Sequence, residues 1–161
     1  MSVSGDILAS YLAPRRVVGR LLAQGPREDR ALAMLMAGLG IAFLAQWPAL
    51  MRQAAADPSV PLDARIGGAL MGLVFLAPLG AYALAGLVRL AARLVGGRGS
   101  WFGARLALFW ALLAASPLML LQALAGVVLG PMAQAALAWA VAAVFLWVWI
   151  GGVMAAEGGG R

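Results

Sequence analysis

The chain has 161 residues, of which 64% are hydrophobic and 11% charged, with a net charge of +6. Soluble domains sit nearer 45–50% apolar and about 25% charged, so a soluble globule is excluded as a class. All twelve bases are Arg, and Cys and His are absent, which removes disulfides, thiolate or imidazole metal ligands, Ser-His relays, Schiff-base lysines and haem ligation by His.

Residues 1–30 carry five arginines ahead of the first long apolar run, unlike a secretory leader. Two short stripes occur within them, Ile7-Leu8-Tyr11-Leu12 and Val17-Val18-Leu21-Leu22, separated by Pro14. Arg15, Arg16 and Arg20 fall off the second stripe. This pattern predicts an amphipathic helix lying in the headgroup plane and favouring anionic lipid.

Four stretches are long enough to cross a bilayer core, which takes about 20 apolar helical residues. They run over about 31–51, 66–88, 106–129 and 132–156, and none contains an Arg, Asp or Glu. Period-2 alternation is missing, so strands are rejected. Gly25-Pro26 followed by acidic Glu28 and Asp29 reads as a helix start. Gly96-Gly97 reads as the end of the second helix, Ser100 as the cap of the third, and Gly130-Pro131 as a tight turn between antiparallel neighbours. Pro78 and Pro117 lie mid-span and are expected to kink their helices, with Ser116 placed to satisfy a freed carbonyl. The fold class is therefore an all-α membrane protein, four transmembrane helices preceded by an amphipathic interfacial N-terminal helix, in a single membrane domain.

The arginines are sorted. The N-terminal segment, the second loop with its flanks, and the tail hold ten, while the first loop holds Arg52 and Arg65. The positive-inside rule then places both termini and the second loop in the cytoplasm, in a bacterial inner membrane. Trp47, Trp101, Trp147 and Trp149 fit aromatic belts.

Candidate contact residues follow from position. Arg15, Arg16, Arg20, Arg89, Arg93, Arg98, Trp101 and Arg105 would meet anionic headgroups or a partner, with bound phospholipid the one ligand expected and no nucleic acid. The Gly-rich corner 96–103 can in principle hold phosphate, but it lacks the P-loop and dinucleotide spacings, so a plain helical corner is favoured. Gly68 with Gly72, and Gly126 with Gly130, are small-residue pairs that let helices approach, either inside the bundle or against a partner. Gln122 and Gln134 are polar groups able to bond between helices. No catalytic, cofactor or metal residues are identified, because no embedded acid pair exists and general bases are lacking.

The corner Ala92-Arg93-Leu94-Val95-Gly96-Gly97-Arg98-Gly99-Ser100, with Ser116-Pro117 inside the following span, resembles the Ypt-interacting (Yip-type) integral membrane family, in its short alphaproteobacterial form. The lead-in Ala13-Pro14-Arg15-Arg16, the stretch Arg27-Glu28-Asp29-Arg30-Ala31-Leu32 and the end Trp147-Val148-Trp149-Ile150 before Glu157 are similar too. The resemblance implies a helical bundle with a cytoplasmic N-terminus and no catalytic residues; larger members have five spans where this chain has four. The expected function is a non-catalytic accessory or scaffold protein that joins a larger membrane complex. The alternatives are a lipid-organising or membrane-shaping homo-oligomer and, behind it, a small transporter, which normally shows intramembrane ionisable groups that these spans lack.

Overall fold

The structure, a computed structural model, describes residues 2–158, and all regular structure among them is helical. The order is α1 (Val3–Leu12), α2 (Pro14–Ala23), α3 (Glu28–Ala56), α4 (Leu62–Met71), a π-turn (Gly72–Leu76), α5 (Ala77–Leu94), α6 (Trp101–Val128) and α7 (Pro131–Gly158). Four helical stretches are long and apolar enough to cross a membrane: Glu28–Ala56, Leu62–Leu94, Trp101–Val128 and Pro131–Gly158. Most of their ends run past the apolar windows read from sequence, because a helix need not stop where the hydrocarbon does. At 1.5 Å per residue, α6 is about 42 Å long against a core of about 30 Å.

Local chemistry sets the ends. Gly96 takes φ +85°, the Gly96 N–H donates to Arg93 O and the Gly97 N–H to Ala92 O, a Schellman stop for α5. Ser100 accepts from the Gly103 N–H at 2.9 Å and caps α6. Gly130, at φ +90°, turns α6 into α7. A side chain at either positive-φ glycine would be strained.

α6 is the central element. It buries fourteen residues, including Phe109, Trp110 and Ser116. α3 runs parallel to it, with Gly38 against the backbone of Leu112 and Leu113. α7 runs antiparallel, with Gly103 on Ala156, Ala107 on Gly152, and Gly126 on Gln134. Pro117 has no N–H for Leu113 O, and the Ser116 hydroxyl donates to that carbonyl at 2.8 Å instead. Pro78 follows the π-turn, in which the Ala77 N–H reaches back to Gly72 O. Such a wider turn shifts carbonyls to later partners and accommodates the missing donor.

The N-terminal segment, expected as an interfacial helix, is built as two helices that break at Ala13, where Pro14 starts the second. Arg20 and Asp6 stand equally far on either side of Ala13 and pair at 2.6 Å, so the helices fold back on each other as a hairpin. Of the two stripes, Val17, Val18 and Leu21 are buried against the bundle. In α1 the polar residues Asp6 and Ser10 are buried, while Leu8 is 66% and Leu12 87% exposed. The apolar stripe of α1 is therefore split, Leu8 and Leu12 pointing outward while Ile7 and Tyr11 pack against the core.

The loop after α3 is tied by its own residues. Asp57 accepts from the Ser59 hydroxyl and N–H and from Arg65 Nη2, and these hold its carboxyl below the ordinary carboxylate range, the Ser59 hydroxyl foremost. A depressed carboxyl contributes its contacts in full above its unfolded pKa, about 4, and loses them as pH falls through the lower folded value. The Ser59 amide resonance should thus titrate with a midpoint below 4, and Asp57→Asn should abolish that titration.

Candidate functional site

The end of the bundle that holds most of the arginines carries the densest polar chemistry. Arg89, near the C-terminus of α5, is 8% exposed. Its Nη1 donates to Glu157 Oε1 at 3.3 Å and to Gly97 O at 3.4 Å. Glu157, near the end of α7, accepts the Gly99 N–H on Oε2 at 2.7 Å. One carboxylate thus ties together the end of α5, the Gly-rich corner and the last turns of α7. Glycine fits at 97 and 99 because a Cβ there would stand 2.7 Å from Ala92 O and 3.0 Å from Ala156 O, respectively, and would displace the Glu157 carboxylate. The Gly-rich corner presents one backbone N–H, that of Gly99 just ahead of the Ser100 cap, to an anion, and the anion is this chain's own Glu157.

A second pair lies beside it. Arg105 bonds Glu28 at the start of α3, and its guanidinium sits 5.8 Å from the centre of the Tyr82 ring. Tyr82 in turn packs edge-on against buried Phe109, with 5.1 Å between ring centres. Charge-assisted bonds and cation–π contact here join α3, α5 and α6. The Nε atoms of Arg89 and Arg105 are buried with no partner among the described residues. A cleft of about 360 Å³ opens next to this network, lined by Leu22, Pro26, Arg98, Gly99, Ser100 and Phe102.

The candidate contact residues separate into two groups. Arg20, Arg89 and Arg105 are engaged with Asp6, Glu157 and Glu28 inside the chain. Arg15, Arg16, Arg93, Arg98 and Trp101 are exposed. The small-residue positions also separate. Gly126 is filled by the Gln134 side chain and Gly130 is a turn residue, whereas a Cβ at Gly68 or Gly72 would meet nothing within 4 Å.

Three functional contacts are not readable from the sequence patterns. Trp110 Nε1 donates to Ser10 Oγ at 2.8 Å, and that hydroxyl donates to Asp6 O at 2.7 Å. The Tyr11 hydroxyl donates to Ala114 O at 2.8 Å, one residue from the carbonyl that Pro117 frees. Trp147, assigned to an aromatic belt, donates its indole N–H to Tyr11 O at 3.2 Å. These bonds fasten the hairpin turn to the middle of α6 and to α7.

At the opposite end, Gln122 and Gln134 line a cleft of about 400 Å³ between α3, α6 and α7, together with Gln46 and Ala45. Arg52 donates to Gln134 Oε1 at 3.4 Å at its edge. These are neutral hydrogen-bonding groups, suited to water or to a neighbouring polar group.

No family, curated protein or solved structure matches this chain. The fold is all-helical among the described residues, with four helices long and apolar enough to cross a membrane, which fits a multi-pass membrane protein.

Proposed function

We propose that this protein is a non-catalytic accessory or scaffold subunit that joins a larger membrane complex through its second span. The observation that carries the reading is the unequal use of its glycines. Gly38, Gly103, Gly126, Gly151 and Gly152 are all filled by neighbours in the chain, whereas the second span has four open glycines, Gly67, Gly68, Gly72 and Gly80, against one, Gly40, in the first. The same stretch, Leu62–Leu94, is the least buried of the four, and Phe75, Leu76 and Leu79 point outward. Small residues in a span permit close backbone approach by another helix, and lipid chains gain little from them.

The remaining assignments belong to this proposal. The arginine-rich end faces the cytoplasm of a bacterial inner membrane, with both termini on that side. The α1–α2 hairpin dips into the leaflet on that side instead of lying flat, which suits a helix whose outward face is Leu8 and Leu12. The Yip-type resemblance agrees with a helical bundle of this kind that carries no catalytic residues.

The test is a Gly68→Leu/Gly72→Leu variant, isolated in mild detergent beside the parent. A Cβ at either position would meet nothing within 4 Å, so thermal unfolding should be little changed while stoichiometric co-purifying chains disappear. A parent that purifies only with copies of itself and lipid would overturn the reading in favour of a lipid-organising oligomer. An unchanged complex in the double variant would overturn the assignment of the face. Solute flux by the pure protein in liposomes would favour transport instead.

A further inference from the structure

A groove of about 360 Å³ lies where the hairpin turn meets α7. Its apolar wall is Leu12, Trp147, Ile150 and Met154, each about half exposed or more. Its rim is Arg15 and Arg16 at the start of α2. The groove is shaped by Gly151, where a Cβ would stand 2.7 Å from Pro14 Cγ, so the proline ring seats on α7 and fixes where the two arginines emerge.

Arg15 and Arg16 share with Arg93 and Arg98 an exposed position, but they alone are adjacent and line an apolar groove. Arg20, Arg89 and Arg105 each have a carboxylate of the chain, but among the described residues Arg15 and Arg16 form no ion pair. Two adjacent guanidinium groups of like charge beside an apolar trough lower their energy by taking an anion. A free anion would satisfy the charges and leave the trough unfilled. An anion carrying hydrocarbon would satisfy both at once, since arginine forks match phosphate oxygens and apolar surface is removed from water or disordered lipid.

We infer that this groove is a binding site for one anionic phospholipid. Its phosphate is drawn inward to Arg15 and Arg16 with the leaflet locally thinned, since the arginines lie close to the hairpin tip, and one acyl chain runs over Leu12, Trp147, Ile150 and Met154. The site is separate from the open face of the second span and does not depend on a partner chain. Trp147 has a double role in it: its N–H holds the Tyr11 carbonyl, and its ring walls the groove.

The experiment is lipid titration of the full chain in detergent, followed by native mass spectrometry, with phosphatidylglycerol and phosphatidylcholine of equal chain length. Each arginine near a headgroup is worth about a fivefold preference, so the parent should retain one phosphatidylglycerol about thirtyfold more tightly than phosphatidylcholine. Arg15→Gln/Arg16→Gln should bring the two lipids together. Ile150→Trp, which fills the trough, should weaken both. Arg93→Gln removes an exposed arginine at the same end and should leave the preference intact. The proposal fails if the double variant keeps its preference, or if Arg93→Gln erases it equally, since that would be diffuse surface charge. It also fails if inorganic phosphate at millimolar concentration displaces the lipid, because the headgroup alone would then be the ligand.

Discussion

Glu157→Ala is expected to destabilise the bundle by about 3 kcal/mol. The magnitude comes from what is left behind. Arg89 is 8% exposed, and without Glu157 its guanidinium keeps only the long contacts to Gly97 O, at 3.4 and 3.5 Å. Its Nε already lacks a partner. Removing one member of a buried pair typically costs about 3–5 kcal/mol, mostly because the other charge stays buried. Glu157 is itself partly exposed, which puts the expectation at the lower bound. The Gly99 N–H loses its acceptor as well, so the corner between α5 and α6 should loosen with α7.

Two companion variants separate the causes. Glu157→Gln retains an acceptor for the Gly99 N–H and should lose less. Arg89→Met combined with Glu157→Leu removes both charges and should recover most of the loss, because an apolar pair of similar volume often replaces a buried ion pair at little cost. Reversible unfolding in mixed micelles measures all three. A Glu157→Ala variant within about 0.5 kcal/mol of the parent would mean the pair is solvated and holds nothing.

The spans, the stops at Gly96 and Gly130 and the Ser100 cap could be read in advance, because each depends on residues close in sequence. Hydropathy and capping are local signals. The Arg89–Glu157 tie was hidden for the opposite reason: its members lie 68 residues apart and neither belongs to a periodic pattern. The hairpin was hidden by an inverted rule. Apolar residues usually mark the buried face, yet α1 buries Asp6 and Ser10 beside Ile7 and Tyr11 and turns Leu8 and Leu12 outward. The glycine pairs show a third limit. Gly68 with Gly72 and Gly126 with Gly130 have the same spacing, but only packing distinguishes an open face from a filled notch and a turn.

Gly151→Leu should release the hairpin from the bundle while leaving α3 to α7 assembled. A Cβ at Gly151 would lie 2.7 and 2.9 Å from the Pro14 ring, and a leucine adds three carbons beyond it. The backbone of α7 cannot yield, because the adjacent Gly152 is held against Ala107, where a Cβ would lie 3.0 Å away. α2 must therefore move. Its displacement would pull Val17 and Val18 from the core and break the Tyr11 bonds to Ala114 and Trp147. Overpacking of this kind costs about 3 kcal/mol, which is about a hundredfold in the population of the released state. The absence of native cysteine makes the readout direct, since Leu12→Cys introduces a single thiol at the outward tip of the hairpin. In lipid nanodiscs that thiol should react slowly with a charged maleimide when the hairpin is seated, because the tip lies level with the middle of α6. With Gly151→Leu it should react about a hundredfold faster, and Gly68→Leu, on the open face, should leave the slow rate unchanged. Equal rates with and without Gly151→Leu would mean that the tip is already in water, and that the outward leucines of α1 face the aqueous surface and not the hydrocarbon.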